Sequence, residues 1–323
     1  MESKAWFNAW RRGLLMGITA TLLSATAPAA ERRELLRDRR FSDGLAVLGA
    51  RMGEGETAQI RFASPGGQPT WQVAQWHSRF SFTNLVAQPG HVLCASNVAK
   101  WLRVDAAHPA ETTLTLGVDS RPEYEGKPRH NPGEPWVHLL VQQEVRAAPS
   151  LAETVSLRLR FEARLGEAAT FRPDGYSPSL HAAQFQVVLT LNNTRRDSPG
   201  FGDYLWFVVP VYDDRHDVPP EYVAQDFAVT QGKLIYNPGA AALGLKPMRL
   251  GEWQAVDCDL RPWLERALRT AWCKGYLPDA RELTDYRVAH LNLGWEVPGL
   301  NRVAMDLRRL SLEATVAASG PFP

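Results

Sequence analysis

The sequence predicts an all-β protein, a sandwich of two antiparallel sheets with one packed helix. Three observations carry this. Apolar and polar residues alternate with period two through most of the chain. The alternating runs are separated by clusters of Gly, Pro, Asn and Asp, the punctuation of β-turns. Only one segment, 261–274, repeats its apolar residues at helical spacing. Alternation is clearest from Val155 to Arg164, where Arg158, Arg160, Glu162 and Arg164 are expected to face solvent.

Taken in order, residues 1–30 have the pattern of a secretory signal. Lys4, Arg11 and Arg12 form a basic start, Gly13 to Ala25 an apolar stretch, and Ala27-Pro28-Ala29 a small-x-small cleavage site, with cutting expected after Ala29 or Ala30. Residues 31–43 are charged and are read as a helical leading arm. Strands are expected at 45–52, 58–63, 71–78, 91–96, 112–119, 137–145, 155–164, 182–193, 204–212, 222–228, 253–260, 286–296 and 302–315. The loop 120–136 is long and rich in Pro and Gly, the character of a binding or lid element. In 261–274, Trp263, Leu264, Ala267, Leu268, Ala271 and Trp272 form an apolar stripe. Asp259 is the expected N-cap, Pro262 sits in the first turn and Gly275 is the stop. Alternation resumes after every loop, so 31–323 is read as a single domain.

Composition narrows the function. The chain of 323 residues is 45% hydrophobic and carries 36 basic against 35 acidic side chains, which excludes a disordered chain and the basic stripe of a nucleic-acid binder. No apolar run of ~18 residues follows the leader, so no membrane span is expected. No phosphate-binding glycine loop occurs, and three cysteines are too few for a disulfide scaffold. The three cysteines are read as small buried hydrophobes; the alternative is a Cys258–Cys273 pair, which would leave Cys94 over. No Cys or His pair has zinc spacing, so no metal site is expected there. A secreted or periplasmic protein of this kind is expected to act on external polymers.

Three strands point to a site. In 184–192, Gln184, Gln186, Thr190 and Asn192 lie opposite the core side. In 204–214, Tyr204, Trp206, Tyr212 and Asp214 share the outer face, with Val208 and Pro210 between them. In 286–296, His290, Asn292, Gly294 and Glu296 alternate with the core residues. A fourth strand, 137–145, sets His138, Leu140, Gln142 and Glu144 on one face. A solvated face would carry more Lys, Arg and Glu. Amides and carboxylates bond sugar hydroxyls, and flat Tyr and Trp rings stack on pyranoses. The expected ligand-binding residues are therefore Gln184, Gln186, Asn192, Tyr204, Trp206, Tyr212, His290 and Asn292. If the face is catalytic, Glu296 is the candidate acid, with Asp214, Asp213 or Glu144 as the second carboxylate and His138 as a candidate base. The acid-rich stretch 213–217 is the one place for a structural calcium, although Arg215 opposes it.

Two segments resemble a known class. Asn301-Arg-Val-Ala-Met-Asp-Leu-Arg-Arg-Leu-Ser-Leu-Glu is similar to the closing strand of galactose-binding-like jelly rolls of the carbohydrate-binding-module type. Gly251-Glu-Trp-Gln-Ala-Val-Asp-Cys-Asp-Leu is similar to their G-x-W segment. The resemblance covers about a quarter of the chain and implies a jelly-roll sandwich. It implies recognition of a polysaccharide or oligosaccharide on the polar, aromatic face. Length suits equally a glycoside hydrolase or polysaccharide lyase using that face, although the Glu-x-Asp-x-x-Glu strand of laminarinase-like enzymes does not occur. An envelope structural protein is the third reading.

Overall fold

The computed structural model describes residues 30–64, 66–83, 88–108, 111–226 and 232–317. Almost all of the expected leader therefore lies outside the described residues, as does the end of the strand expected at 222–228. The strands are, in chain order, β1 (Glu31–Glu34), β2 (Leu45–Leu48), β3 (Glu56–Ile60), β4 (Trp71–Ala74), β5 (Val92–Ser96) and β6 (Lys100–Asp105). They continue with β7 (Thr113–Asp119), β8 (Val137–Glu144), β9 (Thr154–Phe171), β10 (Gln184–Asn193) and β11 (Tyr204–Asp213). The last are β12 (Tyr222–Asp226), β13 (Lys233–Asn237), β14 (Trp253–Asp259), β15 (Tyr286–Val297) and β16 (Leu300–Val316), and one helix, α1, spans Arg261–Cys273.

These strands form a jelly-roll β-sandwich. One sheet runs β14-β9-β16-β7-β6-β5, with β1 also paired to β16; the other runs β12-β13-β11-β10-β15-β8-β4-β2-β3. Pairing is antiparallel except for β2–β4 and β11–β13, which are parallel. The expected strands recur with ends shifted by a few residues, because alternation marks a strand's middle better than its ends. Two strands, β6 and β13, fall in segments read as connections. The leading arm is also different: Glu31–Glu34 is an exposed strand rather than helix. Its backbone pairs with Val316 to Glu313 on β16, and that tertiary partner overrides a helical local preference.

The core lies between the sheets. Val187, Leu189 and Leu191 of β10, Phe207 and Val209 of β11, and Leu291, Leu293 and Trp295 of β15 are all buried there. Trp295 donates its indole N–H to Leu116 O at 2.9 Å and meets Phe185 edge-on with centroids 5.0 Å apart. Helix α1 packs against β9 of one sheet and β11 of the other. Leu264, Ala267, Leu268 and Ala271 are its buried stripe, while Trp263 and Trp272 pack at the core's margin. The N-cap position falls on Leu260, and Asp259 Oδ1 accepts the Arg261 N–H at 3.0 Å. The outward arginines of β9 make a ladder across three strands: Arg158 with Asp257 (2.6 Å) and Arg164 with Asp306 (2.7 Å). All three cysteines are free; burial pushes the Cys258 thiol up to about 12.

Candidate functional site

The nine-stranded sheet turns its second face away from the core, and its register lines that face up row by row. His138, Glu296, Gln184 and Asp213 are successive partners across β8, β15, β10 and β11. The next row is Leu140, Gly294, Gln186 and Pro210, and the one after it Gln142, Asn292, Val188 and Val208. Glu144, His290, Thr190 and Trp206 follow. Above this floor stand loop side chains: Met52, Trp76, Arg129 and Trp136 from one side, and Arg215, His216, Glu221 and Tyr222 from the other. Together they enclose a cleft of about 720 Å³.

Among the sequence-predicted residues, Gln184, Gln186, Trp206, Asn292, Glu296 and His138 line this cleft. Asn192, Tyr204 and His290 sit on the same face but beyond its far end. Tyr204 meets Trp206 edge-on and lies under the Lys233 ammonium. Two residues depart from the expected alternation, and a β-bulge is the reason. Phe185 pairs with Tyr212 but Gln186 pairs with Pro210, leaving Val211 as the extra residue. Beyond the bulge the phase of β11 reverses. The Tyr212 ring packs against core Trp295, with centroids 5.9 Å apart, although its atoms still touch the cleft wall. Asp213 takes the cleft position. Asp214 turns away, and its carboxylate accepts from the Ala183 N–H, Thr170 Oγ1 and Asn301 Nδ2, each at 2.8 Å. It ties the two sheets together and is not a cleft carboxylate. Glu144 pairs with Arg146 in solvent at 2.6 Å.

Glu296 is half-buried at one end of the floor. Its Oε2 accepts the Trp136 indole N–H at 3.1 Å and lies 3.8 Å from His138 Nε2. The indole that shields this carboxyl thus comes from the loop 120–136, while the adjacent Trp295 points into the core. His138 is buried among Trp76, His77 and Trp136, with ring centroids 5.5, 5.6 and 5.7 Å away. Burial holds its pKa below the ordinary 6.5, so the imidazole is neutral at pH 7. Asp213 is the opposite case. Burial alone would raise its pKa, but two bonds from Arg215, at 2.8 and 2.6 Å, outweigh that and hold it below the ordinary carboxylate range. Gln184 Nε2 also donates to it at 2.8 Å. Glu296 and Asp213 flank Gln184, so their Cα atoms are roughly two strand spacings, about 9–10 Å, apart.

Sequence reasoning missed Trp76, Trp136, Arg129, Glu221 and Tyr222. All come from strand ends or loops, where periodicity is silent; the one signal was the length and composition of 120–136. For metal binding, the 213–217 carboxylates offer little: Asp213 and Asp214 are spent on protein donors. Among the described residues no group of three or more His, Cys, Asp or Glu is arranged to hold an ion.

Fold and site together define a β-sandwich with a loop-walled cleft on one sheet. No protein-family model matches the chain, and no curated protein matches it either. Similar solved structures include a family 12 xyloglucanase from Bacillus licheniformis, at 9% identity and TM-score 0.40 over 75% of this chain and 99% of that one. An endoglucanase from Rhodothermus marinus gives 7% identity and TM-score 0.37 over 70% and 93%. A family 12 endoglucanase from Trichoderma harzianum gives 12% identity and TM-score 0.36 over 78% and 100%. None of these three is a galactose-binding-like module.

Proposed function

We propose that the protein acts on carbohydrate, holding a polysaccharide or oligosaccharide chain in the cleft of the nine-stranded sheet. One observation carries this reading. The cleft sets the amides of Gln184, Gln186 and Asn292 and the carboxylate of Glu296 among aromatic rings, Trp76, Trp136 and Tyr222 from its walls and Trp206 from its floor. Flat rings stack on the apolar faces of pyranoses, while amides and carboxylates bond their hydroxyls. The galactose-binding-like resemblance of the closing strand suits the same class of ligand. We also propose that residues 1–30 export the protein. Strand β1 starts at Glu31, so cleavage after Ala29 or Ala30 would leave the sandwich whole.

Hydrolysis of the bound glycan is the second reading, favoured by the two carboxylates that flank Gln184. In an inverting glycosidase one carboxyl group acts as the acid and a second, ionised one as the base. Glu296 is the candidate acid; Asp213 is ionised beside Arg215, but both its oxygens accept protein donors, so it would have to release one of them to act as the base. A uronate lyase is less favoured. It needs a group that neutralises the substrate carboxylate; Arg129 donates to backbone carbonyls and Arg215 to Asp213 and Pro178 O, which leaves that role to the cleft amides Gln184 and Asn292.

The test is a panel of neutral and acidic polysaccharides incubated with the purified protein, with released oligosaccharides read by chromatography and binding read by affinity electrophoresis. New products that vanish in Glu296→Gln establish hydrolysis. Retardation without products establishes binding alone. Neither with any polymer sinks the carbohydrate reading.

A further inference from the structure

The contact between Trp136 and Glu296 is built on a side chain that does not line the cleft. Val137 and Val297 are the last register pair of β8 and β15, directly beyond His138 and Glu296. A tyrosine hydroxyl from the loop 120–136 is spliced between them. Tyr124 Oη donates to Val297 O at 2.7 Å and accepts the Val137 N–H at 3.0 Å. That N–H belongs to the Trp136–Val137 peptide, whose carbonyl lies 3.3 Å from His77 Nδ1. The peptide carrying Trp136 is therefore held at both polar ends. From it the indole N–H reaches Glu296 Oε2.

The tyrosine itself is anchored. Its ring packs against the core, and its N–H bonds Ser120 O at 3.2 Å. Its neighbour Glu123 is buried against the Lys100 ammonium at 2.6 Å and accepts the Arg79 N–H at 2.6 Å. A hydroxyl fixed this firmly and bonded on both sides sets how far apart the two strand ends stand.

We propose that Tyr124 is the positioning residue of the cleft, the group that fixes the Trp136 indole on the Glu296 carboxylate. From the proposed function this takes only that Glu296 is a working group; the positioning itself is tested without ligand. The experiment follows the indole N–H resonances of the ¹⁵N-labelled protein, with Trp136→Phe identifying the Trp136 signal. Glu296→Gln is expected to shift that signal, and Tyr124→Phe to shift it as well. Tyr286→Phe, which removes another buried phenol hydroxyl bonded to Ala280 O at 2.9 Å, is expected to leave it in place. The Val137 amide, protected in the wild type, should exchange about tenfold faster in Tyr124→Phe, the effect of losing one hydrogen bond. A Trp136 signal unmoved by Tyr124→Phe, or moved equally by Tyr286→Phe, overturns the proposal. If Tyr124→Phe does not fold, wild-type exchange decides: a freely exchanging Val137 amide overturns it, a protected one supports it. A polysaccharide panel without hits would sink the carbohydrate reading and leave this result untouched.

Discussion

At the scale of single residues, the cleft separates side chains that serve the floor from those that serve a ligand. Trp206 is half-buried on the outer face and meets the outer-face ring of Tyr204 edge-on. Trp206→Ala is expected to abolish retardation on a bound polysaccharide gel at a stability cost of about 1 kcal/mol. A collapse of the thermal transition would show instead that the ring is structural. Gly294 is the reverse case. It lies in the middle of the floor at φ 149°, and a Cβ built there would be 2.3 Å from Leu139 O and 2.8 Å from Leu140 Cα. Gly294→Ala should destabilise by about 2–3 kcal/mol in urea denaturation, because backbone and not a flexible side chain must give way. Both positions were legible as outer-face residues from alternation. The backbone contact that demands glycine at 294 was not, because it depends on a neighbouring strand over a hundred residues away in sequence.

At the scale of elements, a bulge and a loop decide the site. The extra residue Val211 reverses the end of β11, taking Asp214 out of the cleft and putting Asp213 into it. Strict alternation has no means of announcing such a slip. The loop 120–136 supplies the cleft's Trp136 and Arg129, and its fixed point is the fully buried pair Lys100–Glu123. Burial, set against the attraction of Glu123, holds the Lys100 pKa below its ordinary value. Glu123→Ala leaves that ammonium without its carboxylate partner in the interior. A loss of about 3–5 kcal/mol in urea denaturation is expected. A loss under about 1 kcal/mol would mean that solvent reaches the site and that the loop is held by other means.

At the scale of the whole molecule, stability should depend on pH through groups with opposite histories. His138 is buried with its pKa held below 6.5, so the unfolded chain takes up a proton that the folded one refuses. Stability is therefore expected to fall as pH drops through the ordinary histidine range, and His138→Gln should flatten that slope. Asp213 and Asp119, paired with Arg215 and Arg121, are held below the ordinary carboxylate range. Their contribution is full above that range and is lost as pH falls through their lowered values, which thermal melts from pH 7 down to about 2 would resolve as a step separate from that of His138. By itself the sequence determined the class of fold, the interiors of most strands and the helix at 261–274. It also determined that Gln184, Gln186, Asn292 and Glu296 lie on the outer side of their own strands. These follow from local periodicity, since burial of one side of a strand or helix is written into every second or every third and fourth residue. Only the tertiary structure decided that Trp136 shields Glu296, that Arg215 ionises Asp213, and that Asp214 and Tyr212 leave the cleft. Those outcomes rest on register, on one bulge and on loops folding over a sheet. Such long-range geometry brings together residues that no local pattern relates.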